Sequence, residues 1–150
     1  MTKTISELLT ECQVNLSALK SALASVDARL NEFRADIPQK VVGDVRTASA
    51  KYFELVKSIQ LGFNEMNKLM LMGLTQRKQA KGQIDAASSK VKGLISDGEQ
   101  IETKLKAAMD GLSNSALSEE SQSYIKSGLL GVAECHKSFS TSFSELSRLP

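Results

Sequence analysis

The sequence predicts an all-α protein, an elongated antiparallel four-helix bundle with coiled-coil-like heptad packing. Three observations support this prediction. Apolar side chains recur at alternating spacings of four and three residues, which places them along one flank of a helix. There are only two prolines and 5% aromatic residues, a composition that favours long helices over sheets. At 41% hydrophobic and 24% charged, the 150 residues suit one domain with a real core.

The first helix is predicted over residues 4–37. Thr4 and Glu7 have the spacing of a capping box at its start. Pro38 ends it, because the residue before a proline is disfavoured in the α conformation. Charges that flank the seam form no complementary pattern, so the sequence specifies no particular homodimer. The seam runs without interruption through Ile5, Leu9, Cys12, Leu16, Leu19, Leu23, Val26, Leu30, Phe33 and Ile37.

A second helix is predicted after Pro38, with its own register. Additional apolar residues between 41 and 74 widen its stripe, so we expect it to be the most buried helix of the bundle. The register consists of Val42, Val45, Ser49, Tyr52, Val56, Ile59, Phe63, Met66 and Met70.

The seam weakens over residues 73–82, where Gly73 and Arg77 occupy core positions and Gly82 follows. Two architectures are compatible with this pattern. Either residues 75–82 form a turn between two helices of a bundle, or residues 40–112 form one long central helix. We favour the bundle, because a broad apolar stripe needs more than one neighbouring helix. The register continues through Ile84, Ala87, Val91, Leu94, Gly98, Ile101, Leu105, Ala108 and Leu112.

The last helix is predicted to follow a loop at residues 111–121. Ser118 is the expected N-cap, and Glu119 and Glu120 suit the first turn of a helix. Residues 137–144 also alternate as a strand would, but the continuing heptad outweighs that pattern. The seam of this last helix consists of Ile125, Leu129, Val132, His136, Phe139, Phe143 and Leu146.

Residues that could support catalysis are few, and the sequence predicts no enzyme, no cofactor and no metal site. His136 is the only histidine and lies on the seam. It is either a partner-specific or pH-sensitive polar site, or a partly buried histidine that sets the helix register. Cys12 and Cys135 have no metal-ligand spacing, and we expect both thiols to be free in the cytoplasm. No phosphate-binding glycine loop and no ExxH spacing occurs.

The candidate interaction residues lie in two places, at His136 and in a segment that joins Met/Leu-rich sequence to a basic flank. Segment 59–74 could enter lipid beside that flank, or it could form a methionine-lined groove for a partner helix. The preferred interpretation is an ordinary buried helix followed by a solvated turn. The residues of the segment are Met66, Met70 and Met72, followed by Arg77, Lys78 and Lys81.

Charge and hydropathy limit the classes of function. A net charge of +2 with interspersed signs is too weak for the basic face of a nucleic-acid binder. We expect neither a signal peptide nor a membrane span, since no apolar run approaches about 18 residues. The sequence therefore favours a non-enzymatic helical interaction or structural module, with a protein partner or self-association. The alternative is a membrane-interacting helical protein that uses segment 59–74.

Overall fold

Helices dominate the structure, a computed structural model that describes residues 3–148. No strand occurs among these residues. Two 3₁₀ turns, Arg34–Asp36 and Gly111–Asn114, follow the first and the fourth α-helix. The α-helices are α1 (Ile5–Glu32), α2 (Gln39–Met70), α3 (Leu74–Gln79), α4 (Lys81–Asp110) and α5 (Glu119–Ser147).

The four long helices form an antiparallel bundle, as predicted. α1 packs mainly against α5, and α2 packs mainly against α4. The antiparallel sense follows from paired contacts: Asn15 bonds to Ser142 near one end of the α1–α5 pair, and Arg29 bonds to Ser127 further along. The alternative of one continuous helix over 40–112 is wrong, because the chain leaves the helical path after Met70.

α1 is shorter than predicted. Thr4 caps it, with its Oγ1 accepting a hydrogen bond from the Glu7 amide at 3.1 Å. The reciprocal bond from the Thr4 amide to the Glu7 carboxylate is absent from the described hydrogen bonds, so the capping box is half formed. The helix ends at Glu32, and Ile37 takes the extended conformation that Pro38 imposes on its predecessor.

The predicted seams of α2 and α5 are buried at every position. In α4 the predicted seam and the observed buried face differ at two places. Leu94 and Ala108 are half-buried, whereas their neighbours Ile95 and Met109 are buried. At these two positions the buried residue lies one place later than predicted, and α4 packs against both α2 and α5. The buried residues of α4 are Ala87, Ser88, Val91, Ile95, Gly98, Leu105 and Met109.

α2 has more buried residues than any other helix of the described chain, as expected, but it is not apolar all round. Phe53 and Leu61 are exposed on its outer face, which no other helix covers. The predicted turn at 75–82 is also displaced. The chain turns at 71–73, forms the short α3, and breaks again at Ala80 before α4 begins.

Candidate functional site: the hairpin tip between α2 and α4

The hairpin tip, defined here as residues 71–81, joins α2 to α4 at one end of the bundle. α3 lies within it and makes its main contact with α4. No side chain caps α3 or the start of α4. Short secondary structure held by few neighbours leaves most side chains of the tip open to solvent.

The predicted methionine surface is divided between the core and the tip. Met66 and Met70 lie in the hydrophobic core, since both belong to the seam that α2 turns toward the bundle. Met72 is exposed, because the helix has already ended at Met70. The segment therefore offers no continuous methionine-lined groove, and only Met72 is accessible on its surface.

Three apolar side chains within four consecutive residues of the tip are exposed to solvent. Leu71 is 62% exposed, Met72 41% and Leu74 59%. Isolated exposed apolar residues are normal on any protein, but a cluster in a tip is typical of contact surfaces.

The same part of the chain is basic. Between Glu65 and Asp85 no acidic residue occurs. None of the four basic residues in this interval forms an ion pair with another residue of the described chain. They are Lys68, Arg77, Lys78 and Lys81.

Arg77, Lys78 and Lys81, which the sequence singles out, line a cleft of about 470 Å³ at the tip. Its wall includes Met70 and Asp85, together with Leu74, Ile84 and Ser147. The Nε atom of Arg77 is buried, with no hydrogen-bond partner in residues 3–148. The structure thus joins the basic residues to apolar side chains of α2 and α4.

His136 belongs to the core and not to an accessible surface, being 5% exposed. Its Nδ1 lies 2.5 Å from the hydroxyl of Tyr52 on α2. Burial lowers the pKa of His136, while Glu99 and the Ile95 carbonyl raise it to a smaller extent. The histidine is therefore neutral at pH 7, as in the interpretation of a seam histidine that sets register.

Tyr52 and His136 share one hydrogen bond, and the position of the ring proton sets which of them donates. Burial raises the pKa of Tyr52, so the phenol keeps its proton. The other ring nitrogen, Nε2, has no hydrogen-bond partner within the described part of the chain. The ring fits because a Cβ on Gly98 would lie 2.7 Å from its Cε1.

Neither cysteine resembles an activated nucleophile. Burial raises the pKa of Cys12 to about 12, and it also raises the pKa of Cys135. Both thiols are free.

In residues 3–148 no three His, Cys, Asp or Glu side chains come close enough to hold a metal ion. Within the same range, no helix has the length and hydrophobicity required to cross a bilayer. Comparison with protein-family models, with curated proteins and with solved structures finds no match for this chain.

Sequence reasoning missed one feature of the site and one of the core. The first is the exposure of Leu71 and Leu74, which we placed on the apolar stripe of α2. The weak seam at 73–82 was the available signal, because a helix that ends early exposes the residues beyond its end. The second is the Tyr52–His136 pair, whose partners are 84 residues apart. Nothing in the sequence indicates that contact.

Proposed function

We propose that this chain is a non-enzymatic helical interaction or structural module, an assembly subunit or adaptor, which binds a protein partner through its hairpin tip. The observation that supports the proposal is the cluster of Leu71, Met72 and Leu74 within an acid-free basic segment. Apolar anchors beside arginine and lysine are the kind of surface on which partner proteins form energetic hot spots. We place its action in the cytoplasm, in keeping with two free thiols.

The bundle behind the tip suits the role of a scaffold. A continuous hydrophobic core extends through the four long helices. Full burial of one large apolar side chain is worth about 1.5–3 kcal/mol before entropy is counted. A tip that contributes little to this core is free to vary and to bind without loss of the fold.

Site-specific photo-crosslinking in the native host tests the proposal. A benzophenone amino acid replaces Leu71 in one variant and Leu130, exposed on α5, in a matched control. We expect a discrete crosslinked product from position 71 and none from position 130. Light scattering after size exclusion shows whether the product is a second copy of the chain. Equal crosslinking from both positions, or none from position 71, would contradict the proposal.

A second candidate function is contact with an anionic membrane surface, favoured by the absence of acidic residues between Glu65 and Asp85. Each lysine or arginine near an anionic surface contributes about 1 kcal/mol. Cosedimentation with vesicles of phosphatidylcholine and phosphatidylserine, compared with phosphatidylcholine alone, tests it. Binding that requires phosphatidylserine and is lost in about 0.5 M salt, which screens the attraction between the basic residues and the anionic lipid, supports this function. Absence of binding to either vesicle excludes it.

A further inference from the structure

The cleft at the hairpin tip has the size of a small-molecule site. Its volume of about 470 Å³ lies within the usual range of ligand pockets. Four elements contribute to its wall: the end of α2, α3, the start of α4 and, through Ser147, the end of α5. Leu71 and Met72, the residues that a flat partner surface would contact first, are not part of the wall.

The cleft is amphipathic. Its apolar wall consists of Met70, Leu74 and Ile84. Three cations and one carboxylate, that of Asp85, also line it, so the charge of the lining is +3 − 1 = +2. An occupant that matches this lining is apolar at one end and negatively charged at the other.

Arg77 adds an unmet hydrogen-bond donor. Its Nε is buried and has no acceptor in the described chain, although buried donors are almost always satisfied. The guanidinium offers five N–H donors in a planar fork that matches carboxylate and phosphate oxygens. Because this Nε atom is closed to solvent, an anionic group in the cleft would bond to the other N–H groups of the guanidinium.

We propose that this cleft binds a single-chain anionic amphiphile as a free monomer, with a carboxylate head group on Arg77, Lys78 and Lys81. The chain of the ligand packs against Met70, Leu74 and Ile84. This site goes beyond the proposed protein contact, because it uses the cleft and not Leu71 and Met72, although the two sites share Leu74. Asp85 disfavours the anion and sets an upper limit on the affinity.

Calorimetric titration with octanoate tests the site, with 1-octanol and butyrate as matched probes that lack the charge or the chain. We expect octanoate to bind and both controls to bind at least tenfold more weakly. Arg77→Gln should weaken octanoate binding by about tenfold to a hundredfold, because it removes charge-assisted hydrogen bonds. Asp85→Asn should tighten it. Lys51→Gln, at an exposed lysine far along α2, should leave the affinity unchanged.

Methyl NMR places the ligand independently of its affinity. Octanoate should shift the methyl signals of Met70 and Ile84 and leave that of Met109, at the other end of α4, unchanged. Far-ultraviolet circular dichroism confirms that each variant remains folded.

Four outcomes would overturn the proposal. Equal binding of 1-octanol and octanoate would mean a purely apolar cleft. Full retention of octanoate binding in Arg77→Gln would remove the anion site. Vesicle binding without any monomer-induced shift of Met70 or Ile84 would assign the tip to membrane contact instead. If the unmutated chain does not bind octanoate but still crosslinks from position 71, only the cleft is refuted. If it binds octanoate but does not crosslink from position 71, only the protein contact is refuted.

Discussion

The middle of the bundle and its hairpin tip each depart from the usual pattern of buried apolar and exposed polar side chains. In the middle, Tyr52 and His136 bury polar atoms among apolar residues. At the tip, Leu71 and Leu74 expose apolar side chains among cations. The buried polar atoms largely satisfy each other, whereas the exposed apolar atoms have no partner within the described fold. The buried polar pair therefore helps to specify the structure, whereas the exposed apolar residues of the tip are available for recognition.

Helix neighbours explain the contrast. In the middle layer, side chains of α2, α4 and α5 meet around His136, and Gly98 lets its ring approach the α4 backbone. At the tip, α3 packs mainly on α4, and its outer side chains remain in water. We therefore expect substitutions in the middle to change folding, and substitutions in the tip to change binding.

The largest expected effect is that of a charge in the seam. Leu23→Asp buries a carboxylate at a position that is 1% exposed. An unpaired buried charge costs several kcal/mol, a large share of the roughly 5–15 kcal/mol of a typical domain. We expect loss of helical circular dichroism at 25 °C. Leu61→Asp, on the open face of α2, is the control and should stay folded; a fully helical Leu23→Asp would contradict the packing of α1.

Two glycines of α4 should respond with opposite signs. Gly98→Ala places a Cβ against the His136 ring, and we expect the free energy of unfolding to fall by about 1–3 kcal/mol. Gly93→Ala meets no atom within 4 Å and should raise it by up to about 1 kcal/mol, because alanine favours the helix. Urea unfolding measures both. A stabilised Gly98→Ala would mean that the middle layer has spare room.

Removal of the Tyr52 hydroxyl leaves Nδ1 of His136 without its hydrogen-bond partner. We expect Tyr52→Phe to lower the free energy of unfolding by about 1–3 kcal/mol, the range for an orphaned buried polar group. A double-mutant cycle with His136→Phe checks the cause. The double variant should lose less than the sum of the two single variants, and strict additivity would show that the pair does not interact.

Mild acid should weaken the middle layer through His136. Its folded pKa lies below the value of 6.5, so the unfolded chain binds the proton first, and stability falls as pH drops below 6.5. Glu99 reduces this effect, and Cys135 and Tyr52 remain protonated. Glu102 acts in the opposite sense, because burial raises its pKa above 4.5 in the folded chain. Urea midpoints between pH 8 and 5.5 measure the slope.

His136→Gln should flatten the dependence of the urea midpoint on pH, since it removes the titrating imidazole and leaves the carboxyl groups in place. A variant with an unchanged slope would assign the acid sensitivity to other residues.

The smallest effect on stability is expected at the tip. Leu71→Ser combined with Met72→Ser should change the free energy of unfolding by less than about 0.5 kcal/mol, because both residues are exposed. Thermal unfolding measures this, and partner crosslinking from position 74 should be lost in the same variant. A large drop in stability would show that the tip belongs to the folding core.

Much of the fold was predictable because helical periodicity is local. The α1 seam from Leu9 to Leu30, all of the predicted α2 register and all of the predicted α5 register are buried. The ends of helices were less predictable, as α1 stops at Glu32 and α2 at Met70. In both places a weak local preference for the helical conformation competes with the path that the chain must take to the next helix.

The candidate site was predictable only in part. Arg77, Lys78 and Lys81 line the cleft, whereas the candidate residues Met66, Met70 and His136 are buried, which the sequence left as one of two interpretations. Periodicity places a residue on the apolar face of its helix without indicating whether another helix covers that face. Coverage depends on where the neighbouring helices begin and end.

The sequence by itself determined the helical class, the apolar face of three of the four long helices and the acid-free character of residues 66–84, since each depends on residues close together along the chain. Only the tertiary structure decided that Tyr52 meets His136, that the α4 stripe turns toward Ile95 and Met109, and that basic and apolar residues enclose one cleft. Those features arise when separate helices pack against one another, and the sequence of one helix does not specify the surface of its neighbour.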